Sequence, residues 1–294
     1  MKKHIDLSGC GTALITPFKN GAVDYDAFAA LVDRQVAAGI DVLVPLGTTG
    51  ETPCLEDDER IKVLQIAKEH SNGLPIVVGG GTNSLQHTIR SMQMLEPYGV
   101  DAFLIVVPYY NKPTQEGQYQ YFKAVAEATE KPIVLYNVPG RTGVNMTPET
   151  IARLATDCDN IIGVKEASGD LAQMERVKAL TPSDFLLISG DDGLTVEVIK
   201  RGGMGVISVL ANAYPTATAE VVRLALDGNT EEAAQKLNAL DGIVAALFEE
   251  GNPVGIKTAL YAKGVCSNTM RLPLVPGSDA LQAKMKKLIA EYEK

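Results

Sequence analysis

Residues 161–170 read Ile-Ile-Gly-Val-Lys-Glu-Ala-Ser-Gly-Asp, an aliphatic run that ends at Lys165. A strand that is buried on both faces is a continuous run of aliphatic residues, so this lysine would stand at the carboxyl end of a buried strand. Burial disfavours the charged form of an amine and can free its lone pair for attack on a carbonyl carbon. A lysine can also simply mark where a strand meets water. Taken alone, Lys165 leaves a catalytic and a structural interpretation open.

The same pattern of an aliphatic run followed by polar residues recurs along the chain. Strand-like runs occupy residues 12–15, 42–46, 76–78, 103–107, 133–135, 161–164, 185–188 and 206–209. Apolar residues return at helical spacing between most of these runs, in residues 24–38, 55–70, 85–98, 115–129, 148–156, 171–180 and 194–201. Alternation of strand and helix predicts parallel βαβ units, and eight such units predict a (β/α)₈ TIM barrel.

An open doubly wound sheet is the competing α/β architecture, and it would normally carry a nucleotide fingerprint. Gly79-Gly80-Gly81 follows a predicted strand but lacks the G-x-G-x-x-G spacing, and the chain contains no G-x-x-x-x-G-K-[ST] motif. The sequence therefore does not support nucleotide binding and favours the barrel.

The character of the sequence changes after the eighth predicted strand, because only helical spacing remains. The predicted helices cover residues 220–226, 231–248, 252–263 and 278–292. We therefore predict a barrel that carries the active site over residues 1–226 and a small all-helical C-terminal domain over residues 227–294.

Composition excludes several classes of partner. The chain has 294 residues and a net charge of −9, and it lacks the Lys/Arg cluster that phosphate contacts require. No apolar run approaches the length of a membrane span, and Met1-Lys2-Lys3-His4 is not followed by the apolar stretch of a secretory signal. We expect a cytoplasmic protein without a nucleic-acid or membrane partner.

The residues that usually bind metals are sparse and scattered. The cysteines lie at positions 10, 54, 158 and 266 without C-x-x-C spacing, and the histidines at positions 4, 70 and 87. Asp191-Asp192 could bind Mg²⁺ only if both carboxylates faced one point, whereas adjacent strand residues face opposite sides. We expect reduced thiols, no metal and no cofactor.

In such a barrel, the active site lies where the strands end at their carboxyl termini. Polar segments follow several predicted strands: Gly47-Thr48-Thr49-Gly50-Glu51, Pro108-Tyr109-Tyr110-Asn111, Tyr136-Asn137-Val138-Pro139-Gly140-Arg141-Thr142-Gly143, Lys165-Glu166 and Ser189-Gly190-Asp191-Asp192. Each has an ordinary structural interpretation, as a turn, a core ring or a solvated loop charge. Adjacent strands lie about 5 Å apart, so Tyr136 and Lys165 would be close enough to exchange a proton.

These segments, together with Lys112-Pro113, resemble the dihydrodipicolinate synthase/N-acetylneuraminate lyase family of pyruvate-dependent class I aldolases, and they occur in the family's order across nearly the whole barrel. The resemblance implies that Lys165 forms an imine with pyruvate and that the resulting enamine attacks the aldehyde of L-aspartate 4-semialdehyde. Tyr136 would carry protons, with Thr48 and Tyr110 as the hydroxyl relay.

The resemblance also implies the binding residues. Thr49 would bind the pyruvate carboxylate, Arg141 the carboxylate of the second substrate, and Gly190 and Ile207 would supply backbone contacts near the imine. Tyr110 would reach the site of a neighbouring subunit, so the family pattern implies self-association as a dimer or tetramer.

A further family site at the subunit interface binds the end product L-lysine. Asn83 and Tyr109 match that site, but His87 stands where a carboxylate is expected and Asp57 where a histidine is expected. An ammonium ligand would lose its counter-charge at position 87, so we predict weak or absent inhibition by lysine.

Two alternatives stay open at this point. One is another aldolase of the same family, such as N-acetylneuraminate lyase or a 2-keto-3-deoxy-sugar-acid aldolase, although Arg141 with Thr48-Thr49 favours a small carboxylated aldehyde. The other is a metabolite-binding barrel without catalysis, because a fold alone does not fix a function. Binding alone would require neither Lys165 nor Tyr136.

Overall fold

The computed structural model describes residues 5–294, and its central feature is a sheet of eight parallel strands. These strands are β1 (Gly9–Ala13), β4 (Val42–Val44), β5 (Val77–Gly79), β6 (Ala102–Val106), β7 (Ile133–Asn137), β8 (Ile161–Glu166), β9 (Leu186–Ser189) and β10 (Gly205–Ser208), and a separate antiparallel hairpin contains β2 (Phe18–Lys19) and β3 (Ala22–Val23). The order in the large sheet is β4-β1-β10-β9-β8-β7-β6-β5. A parallel bridge between Leu43 and Ile76 joins the two ends, which confirms the predicted (β/α)₈ barrel.

Helices cover the outside of the barrel and continue beyond its last strand. They are α1 (Tyr25–Ala37), α2 (Asp57–His70), α3 (Leu85–Leu95), α4 (Gln115–Glu127), α5 (Pro139–Thr142), α6 (Pro148–Asp157), α7 (Leu171–Leu180), α8 (Thr195–Lys200), α9 (Pro215–Leu226), α10 (Thr230–Asn238), α11 (Asp241–Glu249), α12 (Val254–Ala262) and α13 (Asp279–Tyr292). Local chemistry sets several starts: the Thr147 and Asp170 side chains accept hydrogen bonds from the first turns of α6 and α7.

The barrel has two apolar layers. Its interior is filled by side chains that the strands direct inward, including Val44, Leu104, Val134 and Ile188. The opposite faces of the strands pack against the helices in a larger cluster that also contains Leu247 of α11 and Ile256 of α12. The C-terminal helices therefore share a core with the barrel, and the boundary between residues 226 and 227 stays a prediction.

Three segments differ from the sequence prediction. The first strand is Gly9–Ala13, not 12–15, because Gly9 and Gly11 give the pairing segment few aliphatic side chains to reveal it. The segment 231–248 is not one helix but α10 and α11, with no Gly or Pro at the break. The helix expected at 220–226 is the end of α9, which begins at Pro215.

No helix within residues 5–294 combines the length and apolar character that crossing a bilayer demands.

Candidate active site

A cavity of about 320 Å³ opens at the carboxyl ends of the barrel strands. Its lining includes most of the residues proposed from the sequence: Thr48, Thr49, Tyr136, Arg141, Lys165 and Gly190. These residues follow four different strands, and the parallel arrangement brings all four strand ends to the same rim. The C-terminal helices supply another wall, with Val244, Phe248 and Asn252.

Lys165 is buried at the end of β8, directly beside Tyr136. The two residues are register partners on β8 and β7, and Lys165 Nζ lies 4.6 Å from the centroid of the Tyr136 ring. Within residues 5–294, this amine has no carboxylate at ion-pair distance, although Lys165 is only 5 % exposed. A buried amine without a counter-charge, at the wall of a cavity, is free to act as a nucleophile.

Gly190 lets the backbone of the β9 loop approach the Lys165 side chain closely. A Cβ atom at position 190 would lie 3.1 Å from Lys165 Cε and 2.6 Å from Ala167 Cβ. The Gly190 N–H donates to the carbonyl of Glu166 at 2.8 Å, which ties the ends of β8 and β9 together. A side chain at position 190 would therefore clash with Ala167 and crowd the lysine.

Thr48 and Thr49 lie in a tight turn directly after β4. The Gly50 N–H donates to Gly47 O and the Glu51 N–H to Thr48 O, each at 3.1 Å, and Glu51 closes the turn in the left-handed conformation with φ 53°. The Thr49 hydroxyl accepts a hydrogen bond from Asn252 Nδ2 at 3.0 Å. Its own proton therefore remains available for a ligand.

Asn252 was not identified from the sequence, yet it links two of the proposed binding residues. Its side chain contacts Thr49, and its main-chain oxygen accepts a hydrogen bond from Arg141 Nη2 at 3.0 Å. Arg141 belongs to the single turn α5, which begins at Pro139. No local signal marks residue 252, because its role depends on contacts with residues more than a hundred positions away.

Two of the proposed residues do not line this cavity. Ile207 lies deeper, in the barrel interior with Tyr136 and Ile188, and Val209 lines the cavity in its place. Tyr110 is 88 % exposed and has a φ of 74°. Its ring therefore points away from the packed part of its own chain.

The proposed effector residues are only partly brought together. Asn83 Nδ2 donates to the main-chain oxygen of Tyr109 at 3.3 Å, so these two residues are neighbours. His87 is exposed in the first turn of α3. The inference of weak or absent lysine inhibition stays a prediction.

The two aspartates after β9 face different surroundings. Asp192 is buried and accepts hydrogen bonds from the Ser208 hydroxyl and from the N–H groups of Val209 and Leu210, and burial raises the pKa of its carboxyl. Asp191 lines the cavity instead. Within residues 5–294, no group of three His, Cys, Asp or Glu side chains is arranged to bind a metal ion.

Comparison with known proteins gives a consistent result over the whole chain. Residues 6–292 match the model of the dihydrodipicolinate synthetase family. The 4-hydroxy-tetrahydrodipicolinate synthase of Porphyromonas gingivalis is 47 % identical over 290 residues, which cover 98 % of each chain. The dihydrodipicolinate synthase structure from Thermotoga maritima has a TM-score of 0.96 at 43 % identity, covering 97 % of this chain and 98 % of that one.

A third similar structure is that of the chloride-inhibited dihydrodipicolinate synthase from Acinetobacter baumannii complexed with pyruvate. It has a TM-score of 0.95 at 36 % identity and covers 98 % of this chain and 99 % of that one.

Proposed function

Because this chain belongs to the dihydrodipicolinate synthetase family, we propose that it is a lyase that condenses pyruvate with L-aspartate 4-semialdehyde. The product is 4-hydroxy-tetrahydrodipicolinate, and the reaction is the first committed step of diaminopimelate and lysine biosynthesis. The observation that carries this proposal is the buried amine of Lys165, unpaired beside the Tyr136 ring in a cavity that also contains Thr49 and Arg141.

The chemistry begins at Lys165. Its Nζ attacks the keto carbon of pyruvate, and loss of water leaves a protonated imine that withdraws electrons from the methyl group. Loss of a methyl proton gives an enamine, whose carbon forms a bond to the aldehyde carbon of the second substrate. The amino group of that substrate then adds to the imine carbon, Lys165 departs, and the ring of the product is closed.

Neighbouring residues support each of these steps. The Tyr136 phenol is the acid and base that moves protons to the departing carbinolamine oxygen, from the methyl group and to the new alkoxide, with Thr48 as its hydroxyl partner. Thr49 and main-chain N–H groups of the same turn bind the pyruvate carboxylate. Arg141, fixed by its contact with Asn252 O, binds the carboxylate of the aldehyde substrate.

Self-association and location complete the proposal. Tyr110 lies outside the cavity of its own chain and is 88 % exposed, which supports the assignment of its hydroxyl to the site of a neighbouring subunit in a dimer or tetramer. The active unit would then be at least a dimer, located in the cytoplasm with the other enzymes of amino-acid biosynthesis.

Trapping with borohydride tests the imine directly. We expect incubation with pyruvate and borohydride to add one reduced pyruvyl group, located by peptide mass spectrometry on Lys165. A matched sample of Lys165→Met should stay unmodified. An adduct on another lysine, or none at saturating pyruvate, would refute the proposed nucleophile.

The same preparation also tests the second substrate. We expect consumption of pyruvate to depend on L-aspartate 4-semialdehyde, and we expect no cleavage of sialic acid. Cleavage of sialic acid without condensation of the semialdehyde would instead assign the chain to the sugar-acid aldolases of the family.

A further inference from the structure

The turn that contains Thr48 and Thr49 has an unusual backbone conformation at both of its ends. Leu46, which precedes the turn, and Glu51, which closes it, have φ values of 58° and 53°. A positive φ brings the Cβ atom close to the following carbonyl oxygen, and neither leucine nor glutamate offsets that cost locally. Contacts with other parts of the chain must therefore hold both residues in this conformation.

The contacts that hold Glu51 come from the C-terminal part of the chain. The Glu51 side chain is fully buried and forms a salt bridge with the equally buried Lys257 of α12. Its Oε2 accepts a hydrogen bond from the Arg271 N–H at 3.2 Å. Lys257 Nζ also donates to the main-chain oxygen of Thr269 at 3.1 Å. Both carboxylate oxygens are thus fixed, which restricts rotation of the backbone at residue 51.

The beginning of the turn is fixed by the barrel itself. A Cβ atom at Gly79 of β5 would lie 1.9 Å from the main-chain oxygen of Leu46, so the glycine leaves room for the positive φ there. The Thr52 hydroxyl donates to the main-chain oxygen of Gly47 at 3.0 Å. These contacts do not involve the C-terminal helices, whereas the pair with Lys257 acts at the other end of the turn.

The conformation of the turn determines where its free N–H groups point. Within the part of the chain that the structure describes, the N–H groups of Thr48 and Thr49 donate to no main-chain oxygen, and both residues line the cavity with Lys165. Successive free N–H groups in a turn form a concave site for an anion. Because the chain is anchored on both sides, a change to negative φ at residue 51 would be absorbed within the turn and would redirect these groups.

We propose that Glu51 is a positioning residue for pyruvate: its buried pair with Lys257 keeps residue 51 left-handed, which directs the free N–H groups of the turn toward the pyruvate carboxylate. This inference rests on the proposed function and adds a residue that controls the geometry of the pyruvate site. Stability alone does not account for such a pair, since apolar residues of similar size often stabilise a protein as well or better. Affinity for pyruvate is the property that the pair should set.

The test compares two double variants that both remove the ion pair and differ only at residue 51. Glu51→Leu with Lys257→Met leaves no buried charge, but leucine disfavours a positive φ. Glu51→Gly with Lys257→Met also leaves no buried charge, and glycine adopts a positive φ without steric cost. The measurement is the pyruvate concentration that gives half-maximal borohydride trapping on Lys165, a reaction that needs no second substrate. Urea unfolding establishes that each variant is folded.

We expect the half-maximal pyruvate concentration to rise about 5- to 30-fold in the variant with leucine, which corresponds to the cost of one left-handed residue. In the variant with glycine, it should stay within about threefold of the value for the unaltered protein. At saturating pyruvate, the KM for L-aspartate 4-semialdehyde should change less than about twofold in both, because Arg141 lies in a different loop.

Two further variants keep the comparison available if one of these proteins does not fold. Glu51→Asn with Lys257→Met should repeat the result for glycine, because asparagine tolerates a positive φ. Glu51→Met with Lys257→Met should repeat the result for leucine.

Equal half-maximal pyruvate concentrations in the variants with leucine and glycine would overturn the inference, because the conformation of residue 51 would then have no effect on binding. A parallel rise of the KM for L-aspartate 4-semialdehyde would also overturn it, since it would indicate general loosening of the cavity. Absence of trapping on Lys165 in the unaltered protein is a different result, because it would remove the proposed function itself.

Discussion

Two lysines are buried within residues 5–294, and their surroundings are opposite. Lys257 on α12 is fully buried and forms a salt bridge with the equally buried Glu51. Its Nζ also donates to the main-chain oxygen of Thr269 at 3.1 Å and lies 4.2 Å from the centroid of the Phe18 ring. Lys165 on β8 has the Tyr136 ring and the cavity beside it, and no carboxylate among the described residues lies at ion-pair distance from its amine.

The difference distinguishes a structural lysine from the proposed nucleophile. Burial lowers the pKa of Lys257, and the charge of Glu51 opposes that shift, so the pair compensates for the loss of water. The pair also supports the site indirectly, because Glu51 closes the turn that contains Thr48 and Thr49. Lys165 lacks such compensation, which is the arrangement that an amine needs in order to attack a carbonyl carbon.

The largest effect should come from removing the unpaired lysine. Lys165→Met should lower turnover by at least about 10⁴-fold, because the proposed nucleophile is lost. Stability should be unchanged or higher, since an apolar side chain of similar length replaces an uncompensated amine. Pyruvate consumption and the unfolding midpoint in urea measure the two effects on one sample. Retained turnover, or a large loss of stability, would remove the distinction between the two lysines.

The next largest effect is expected at Lys257, where substitution should lower stability and leave imine formation at Lys165 intact. Lys257→Met leaves the Glu51 carboxylate buried without its cation, so we expect the free energy of unfolding to fall by about 3–5 kcal/mol. Lys165 should still be trapped by pyruvate and borohydride in the folded protein. Urea unfolding checks the stability change.

A double variant, Lys257→Met with Glu51→Leu, is the control for this prediction. It should recover part of the lost stability, because no charge is then left buried. If the double variant is less stable than Lys257→Met alone, burial of an unpaired charge is not the cause.

The same contrast explains how much the sequence could predict. Lys165 and Tyr136 lie at strand ends, where a change from aliphatic to polar residues is visible in a few consecutive positions. The barrel follows from that repeated local pattern. In β1 the pattern is weaker because Gly9 and Gly11 stand in place of aliphatic residues. The sequence therefore predicts this strand too far toward residue 15.

Contacts between distant positions could not be predicted in this way. Glu51 and Lys257 are 206 positions apart, and Thr49 and Asn252 are 203 apart. No local sequence pattern connects residues so far apart in the chain. In the sequence, a buried lysine on an apolar helix also looks like an ordinary surface charge. Residues that support the site from the C-terminal helices were therefore missed.

The smallest effect concerns Glu166, which follows Lys165 and is buried without a cation. Its carboxyl accepts hydrogen bonds from Asn137 Nδ2 at 2.9 Å and the Ser168 N–H at 2.8 Å, yet burial raises its pKa above the ordinary 4.5. The folded state then binds the proton more tightly, so the stability that Glu166 contributes is complete below pH 4.5 and is lost as pH rises through the folded pKa. The stability of the unaltered protein relative to Glu166→Gln should therefore fall as the pH rises above about 4.5.

Glu59 should give a pH dependence of stability with the opposite sign. Both of its carboxylate oxygens accept hydrogen bonds from Arg271 at 2.6 Å, and these bonds lower its pKa below 4.5. Its contribution is present above pH 4.5 and is lost as pH falls through the folded pKa, so the stability relative to Glu59→Gln should rise with pH. Urea midpoints of the two variants, measured on both sides of pH 4.5, give both slopes. Slopes of equal sign would mean that a paired and an unpaired carboxyl respond alike to burial, and the contrast drawn between Lys257 and Lys165 would lose its physical basis.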